Sequence, residues 1–430
     1  MRAFDVTWLS YLMAGVAIYY FTLFALSLRL FRPHARANDY APFIALIVPA
    51  HNEEHVIDQT LASLTRLSYA HYVVLVMDDG STDATAARAR AFEKTGRVVV
   101  VHRPPELAGQ GKGPVLNHAF DIVNEWVAEG DPRLGGRGPE DIVLGVMDAD
   151  GVLEPDGLAA VAPLFGEPHV GGVQMGVRIA NVDQGLLPRC QDMEFVGFSH
   201  LAQAARDRIG SVGLGGNGQF TRLSALLDIG RRPWSTCLTE DLDLGLSLTR
   251  IGWRIRFCHS AWVAQQGVTT LRAWLRQRTR WAQGHYQCWT HFPRLLASRR
   301  APLLARLDLS IYLLFVTFVM FVTANLVLTV AGAAGWVWLS NDFLWFLPVG
   351  LTRNLVFEVL GVGPVAIFLI RYQQYSRRPL RWWEIPAFGA AFALYAYLWA
   401  IATLCAWGRM LLGRSGWVKT PRASVEAAAP

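Results

Sequence analysis

The chain has 430 residues, 52% hydrophobic and only 17% charged, with a formal net charge of +6. A mean hydropathy of +0.25 is too high for an ordinary soluble protein of this size, and such a composition excludes a disordered or collagen-like chain. The positive residues crowd beside apolar runs (Arg294, Arg299, Arg300; Arg377, Arg378, Arg381), which suits an anionic membrane surface and argues against nucleic acid as a partner. Cys190, Cys237, Cys258, Cys288 and Cys405 show no CxxC spacing, so neither disulfides nor zinc is expected.

Taken in chain order, Trp8–Leu30 is an apolar run long enough to cross a bilayer, which needs about 20 residues. Arg29, Arg32 and Arg36 lie at its far end and no small-residue cleavage site follows. Residues 1–36 therefore read as a retained anchor, with the next domain on the cytoplasmic side.

Between Tyr40 and about Trp262 the pattern changes. Runs at 43–50 (FIALIVPA), 72–79 (YVVLVMDD), 97–102 (RVVVVH) and 141–150 (DIVLGVMDAD) predict strands, and the stretches at 54–67, 83–96 and 113–130 predict helices between them. Continuously apolar strands alternating with helices imply an α/β fold on a mostly parallel, twisted sheet covered on both faces. Ligands of such sheets bind outside the carboxyl ends of the strands. Pro49, Asp78, Asp79, Asp148 and Asp150 all fall at those ends.

Six stretches can carry chemistry, and each has a plainer alternative. Asp148 and Asp150 stand at i and i+2 where a strand turns, so they can converge on one hard cation; Mg²⁺ or Mn²⁺ takes one or two carboxylates plus substrate phosphates. The alternative is a solvated turn. In Asp78-Asp79-Gly80-Ser81 an Asp can accept from a base N–H, and the helix start behind it leaves room for phosphate; the alternative is capping by Ser81 or Asp83. PAHNEEHV (49–56), with Pro49, Ala50, Asn52 and Glu53, is either a nucleotide cradle or an acidic helix start. GQGKG (109–113) surrounds Lys112 with glycines without Walker spacing; Lys112 can meet a diphosphate as a point charge, or the glycines are a flexible turn.

In CLTEDLDL (237–244) Thr239 predicts a helix cap, which puts Glu240 and Asp241 in the first turn. The dipole there favours an ionised carboxylate, as a general base requires; acid enrichment at a helix start is the alternative. In WLRQRTRWAQGHYQCW (274–289) Gln277, Arg280 and Trp281 share one helical face. Such an Arg can offset diphosphate charge and such a Trp can stack on a sugar, unless the helix is simply an interfacial one.

The C-terminal third is membrane-like again. Leu307–Val330 and Pro386–Leu412 each read as a span. Phe343–Ile370 is apolar but carries Arg353, Asn354 and Glu358, charges expected to face a bundle interior or polar cavity. Three crossings would leave the basic end (GRMLLGRSGWVKTPR) outside, against the positive-inside rule. A further crossing or re-entrant segment is therefore expected between Ala331 and Ile370. The expected organisation is an anchor (1–36), a cytoplasmic catalytic domain (40–265), interfacial helices (266–306), a multi-pass membrane region (307–412) and a basic cytoplasmic tail (413–430).

DDGS, DAD, TED and QRTRW, in that order on a chain with flanking spans, resemble the membrane-bound family 2 glycosyltransferases, which include synthases of cellulose, hyaluronan, poly-N-acetylglucosamine and nodulation chitooligosaccharides. The resemblance implies a GT-A fold and inverting, metal-dependent transfer from a UDP-sugar to a growing β-linked polysaccharide at the inner membrane face, coupled to translocation. By position, Asp78 or Asp79 would hold uracil or ribose with the Pro49–Glu53 turn. Asp150 would hold Mg²⁺ or Mn²⁺, and Asp148 the donor sugar or diphosphate. Asp241, beside Glu240, would be the catalytic base. Arg280, with Lys112, would face the diphosphate, Trp281 would lie under the acceptor sugar, and Gln277 would complete the QxxRW motif as a further substrate contact. GGNGQF (215–220) lies where such enzymes position the acceptor. The implied partners are a UDP-sugar, a glycan or glycolipid acceptor, membrane lipid and an accessory membrane subunit. The alternative is non-processive glycosylation of a membrane lipid, as ceramide glucosyltransferases perform with a similar QxxRW signature.

Overall fold

The computed structural model describes residues 7–28, 39–321, 323, 327 and 365–414. Eight strands form one sheet: β1 (Phe43–Ala50), β2 (Tyr72–Asp78), β3 (Val98–His102), β4 (Ile142–Val146), β5 (Val152–Leu153), β6 (Val170–Ile179), β7 (Gln219–Arg222) and β8 (Arg254–Gln265). Their order is β3-β2-β1-β4-β7-β6-β8-β5. The four strands expected from the sequence form the parallel half, with β1 between β2 and β4 and β3 outside β2. β7 then runs antiparallel to β4 and β6, while β8 is parallel to β6. The second half escapes a reading by apolar runs: β6 contains Gly171, Gly172 and Gly176, and β8 is interrupted by Arg254, Arg256 and His259.

Successive side chains of a strand point to opposite faces. On one face Ile44, Leu46 and Val48 pack with Ile57, Leu61 and Leu64 of the Ile57–Leu64 helix. On the other, Ala45, Ile47, Val73 and Leu75 pack with Val115, Leu116, Ala119 and Val123 of the Lys112–Glu129 helix. Both faces being covered, a polar side chain in mid-strand would be desolvated without a partner. That is why the acids appear only where β2 and β4 end. Truncating a core position such as Leu46, which is 0% exposed, would cost about 2–5 kcal/mol.

A third apolar cluster lies outside the sheet. Met193, Val196, Trp274, Phe388, Phe392 and Tyr395 pack there together with Leu23. It joins the Thr7–Leu28 helix, where the anchor was expected, and the Leu271–Gln287 helix to the Glu384–Leu411 helix. Among the described residues the Glu384–Leu411 helix is the one long and apolar enough to cross a membrane unbroken. The span expected from Leu307 is not straight: Leu303–Leu313 and Phe315–Phe321 meet at a 47° bend. Arg353, Asn354, Glu358 and the tail beyond Arg414 lie outside the described residues. One further element was not anticipated, a π-helical turn at Met193–Ser199 between the Leu186–Asp192 and His200–Ile209 helices. Such turns are rare overall and frequent at functional sites.

Candidate active site

At the ends of β1 and β2 the chain builds a wall. Pro49 and Ala50 pair with Met77 and Asp78. The backbone then turns at Asn52, whose φ of 54° lies in the left-handed region. Asn52 Oδ1 accepts from the Thr82 N–H (2.8 Å), and its own N–H donates to Ser81 Oγ (2.9 Å). The Glu53 N–H donates to Thr85 Oγ1 at 2.7 Å. The Pro49–Glu53 turn and the loop after Asp78 thus form one surface, as the cradle reading requires. The acids in it are inward. Asp78 is 0% exposed and accepts from His102 Nδ1 (2.6 Å) and the Ser81 N–H (3.2 Å). Asp79 accepts from the buried Arg103 and from the Gly109 N–H (3.1 Å). Asp83 rather than Ser81 satisfies the start of the next helix, accepting from the Thr85 N–H at 3.0 Å.

Asp148 and Asp150 occupy the turn after β4. Asn217, from the GGNGQF stretch, fixes it: its Oδ1 accepts from the Asp148 N–H at 3.2 Å. Asp150 is 6% exposed and accepts from the Gln266 N–H at 3.1 Å. Lys112, the first residue of its helix, donates to Asp148 Oδ1 (2.7 Å) and the Gly216 carbonyl (3.1 Å), and lies 3.9 Å from Glu240 Oε1. Gly216, at φ +74°, borders Asp241: a Cβ there would stand 2.8 Å from Asp241 Oδ2 and 3.5 Å from Lys112 Nζ. One ammonium therefore collects Asp148, Glu240 and the neighbourhood of Asp241 from distant parts of the sequence.

The Glu240–Ile251 helix begins where predicted, with Thr239 at the cap position, but the Thr239 hydroxyl does not cap it. Instead it lies 3.6 Å from Cys237 Sγ and 3.7 Å from Cys288 Sγ. Gly284 of the Leu271–Gln287 helix packs on it so closely that a Cβ would come within 2.7 Å of Thr239 N. The dipole expected to favour ionisation is outweighed. Burial, and then the Asp241 charge, push the Glu240 carboxyl up to about 7 against the pull of Lys112. Burial raises Asp241 as well, opposed by Lys112 and Arg280. Burial works against the Lys112 ammonium, yet Asp148 and Glu240 together hold its pKa above the ordinary lysine value.

The three residues singled out on the Leu271–Gln287 helix have different surroundings. Arg280 is close enough to pull on Glu240 and Asp241. Trp281 stands edge-on to Phe195 at 6.3 Å between ring centres. Gln277 is buried, and its Oε1 accepts from Arg278 Nη1 at 2.6 Å. Arg278, which the motif spacing does not single out, is fully buried. Its Nη2 donates to Glu194 Oε2 (2.6 Å) and to the Tyr395 hydroxyl (3.2 Å), and its guanidinium lies 4.0 Å from the Trp281 ring centre. The Tyr395 hydroxyl also donates to Glu194 Oε2. The QRTRW stretch contains Arg278, but nothing local points to Glu194 or Tyr395.

Asp241 and Trp281 open onto one cavity of ≈ 460 Å³ that runs between the sheet domain and the apolar helices that include Phe315–Phe321 and Glu384–Leu411. Its walls are chiefly aromatic and apolar, with Phe198, Phe315, Phe368 and Trp399 among them. Lys112, Asp148 and Asp150 are not part of that lining.

Among the described residues no three His, Cys, Asp or Glu side chains gather to hold a metal by themselves. The Asp148–Asp150 turn offers hard oxygen ligands only, in the number that Mg²⁺ or Mn²⁺ uses when phosphates complete its shell. The residues thus fit a cation held jointly with a diphosphate, and do not fit a dedicated protein cage.

The family model described as "Glycosyltransferase like family 2" matches residues 41–284. The Beta-monoglucosyldiacylglycerol synthase of Nostoc sp. is 34% identical over 266 residues, 60% of this chain and 52% of that protein. The chain thus spans about half the length of this curated relative. The Poly-beta-1,6-N-acetyl-D-glucosamine synthase of Staphylococcus aureus is 26% identical over 265 residues, 60% of this chain and 59% of that one. Among solved structures, the mannosyltransferase PcManGT of Pyrobaculum calidifontis, in complex with GDP-Man and Mn²⁺, aligns over 95% of this chain and 100% of its own, with a TM-score of 0.55 and 19% identity. That likeness agrees with the GT-A fold expected from the sequence.

Proposed function

The chain belongs to the glycosyltransferase-like family 2, and from that premise we propose that it transfers a sugar from a UDP-sugar to the hydroxyl of a membrane lipid, with inversion at the anomeric carbon. One observation carries this reading: Asp241 opens onto an aromatic-walled cavity shared with the membrane-side helices. An acyl chain gains by filling such a space, whereas a glycan would be stripped of its hydration along it. The lipid named for the Nostoc relative supports the same acceptor class. Polysaccharide synthesis, the first expectation from the sequence, is supported by the more distant Staphylococcus likeness. Arg353 and Glu358, expected to line a glycan path, lie outside the described residues.

In the proposed reaction Asp241 takes the proton of the acceptor hydroxyl as its oxygen bonds to the anomeric carbon and the bond from that carbon to the diphosphate oxygen breaks. Lys112 and Arg280 offset charge on the departing UDP. Asp148 holds the donor sugar or diphosphate, and the Asn52–Asp79 wall takes the nucleoside. Mg²⁺ or Mn²⁺, held by Asp150 with the diphosphate, would supply further neutralisation of the leaving group; the Mn²⁺ in the Pyrobaculum complex supports this assignment. Glu240, pushed up to about 7, keeps a proton through much of the neutral range and so relieves repulsion beside Asp241. The basic residues flanking the apolar runs support a membrane location with the catalytic domain on the cytoplasmic side.

The test uses the purified full chain with Mg²⁺ or Mn²⁺, radiolabelled UDP-glucose, UDP-galactose or UDP-N-acetylglucosamine, and diacylglycerol or ceramide in mixed micelles. Label in an organic-extractable glycolipid, lost on adding EDTA, is expected. Label solely in a large water-soluble polymer would overturn the lipid reading.

A further inference from the structure

We propose that Arg278 is a positioning residue for the acceptor: it fixes the Trp281 indole at the cavity wall and is itself fixed by Gln277, Glu194 and Tyr395. The inference rests on the reading that the acceptor enters this cavity.

The starting point is an energetic mismatch. Arg278 is 0% exposed and the Glu194 side chain 12% exposed, within an otherwise apolar cluster. Desolvating such a pair costs several kcal/mol per ion, and a well-packed apolar set of the same volume is often as stable or more so. Stability alone therefore gives little reason to place a guanidinium there. Its geometry gives one. A planar guanidinium presents two edges and a face at once. Nη1 meets Gln277 (2.6 Å), Nη2 meets Glu194 (2.6 Å) and the Tyr395 hydroxyl (3.2 Å), and the group lies 4.0 Å from the Trp281 ring centre. The partners come from three elements: Gln277 and Trp281 from the QxxRW helix, Glu194 from the π-helical turn, Tyr395 from the Glu384–Leu411 helix. The Trp274 indole N–H also donates to the Tyr395 hydroxyl (2.9 Å), which closes the network.

Both terminal nitrogens of the guanidinium are thus committed, and the network reaches the cavity through Glu194, Trp281 and Tyr395, which form its wall together with Asp241. This assigns Gln277 a different part from the substrate contact expected of it. Its oxygen orients Arg278, Arg278 orients Trp281, and Trp281 meets the acceptor beside the base. It also ties the setting of the acceptor wall to the membrane helix through Tyr395.

The test is a double-mutant cycle on acceptor KM, read on the full chain with the acceptor that the wild type uses. Arg278→Met paired with Glu194→Leu removes both charges together. Acceptor KM is expected to rise roughly 10-fold, the scale of a desolvated cation–π interaction removed along with its hydrogen bonds. Donor KM and kcat at saturating acceptor should change far less. Arg278→Lys should give an intermediate acceptor KM. In a Trp281→Ala background the Arg278 substitutions should add nothing, because the residue acts through Trp281. Multiplying effects, or an unchanged acceptor KM, would overturn the proposal. Should the paired variant not fold, Tyr395→Phe and Arg278→Lys give the same readout and decide the question in the same way. A wild type that extends a glycan and makes no glycolipid would sink the lipid reading while leaving the Arg278–Trp281 coupling measurable on that glycan.

Discussion

The rim of the sheet and the cluster around the Glu384–Leu411 helix both hold charged side chains, and they hold them differently. At the rim, the acids stand where strands stop. Their partners are neighbouring loop amides, the His102 ring at the end of β3, as with Asp78, or the Lys112 ammonium at the start of its helix, as with Asp148. In the cluster around the Glu384–Leu411 helix, Arg278 is bonded to Glu194 and Tyr395, which lie 84 and 117 residues away, and it is fully buried. At the Asp148–Lys112 pair, whose side chains are 29% and 21% exposed, the first arrangement leaves charge available to a polar ligand, while Asp78 and Asp79 stay buried in the wall. The second uses charge up to fix geometry. A donor carrying a diphosphate suits the rim, and an acceptor with an apolar body suits the space beside the cluster.

That contrast can be broken at four points. The largest effect is expected from Asp241→Asn, which removes the base where the two regions meet: kcat should fall about 10²–10⁴-fold while UDP-sugar binding persists by calorimetry. Full activity in that variant would remove Asp241 from the chemistry. Next, Arg278→Ala alone leaves Glu194 buried without its cation and should destabilise the protein by about 3–5 kcal/mol in denaturant unfolding. A loss below about 1 kcal/mol would show that water already reaches the pair.

A smaller effect should appear in the pH dependence. The Glu240 carboxyl is raised from 4.5 to about 7, so the fold favours its protonated form. Its contribution to stability is present below pH 4.5, declines as pH rises towards 7 and is lost above that. Asp241 is also raised by burial and must ionise to act as a base, so activity should climb with rising pH above the ordinary carboxylate range. Glu240→Gln should flatten the stability slope in melting curves; an unchanged slope would place its origin elsewhere. The smallest effect is the control. The Arg88–Asp58 pair on the sheet side is 47% and 46% exposed, and Arg88→Ala should cost only about 0.2–1 kcal/mol.

The same contrast explains what could be read from the sequence. The strands at 43–50 and 72–79 were legible because burial on both faces demands an unbroken apolar run, and the acids ending them were legible because the runs stop there. Lys112 was marked by its glycines, and Asp241 by its place in a helix's first turn. β6 and β8 were hidden because Gly171, Gly172, Arg254 and Arg256 break the apolar pattern. Glu194 and Tyr395 were hidden for another reason: a single polar residue in an apolar run gives no sign of its partner when that partner is a hundred residues away. Thr239 was placed correctly, but the bonds of its hydroxyl were not foreseeable, since they depend on a helix that arrives more than thirty residues later.

Gly284 is where that later helix arrives. With no side chain between them, its backbone and Thr239 touch directly, so the segment bearing Asp241 and the one bearing Trp281 cannot slide independently. On the proposed mechanism, a motion that admits or releases an acceptor would carry the proposed base and the aromatic wall together rather than one past the other.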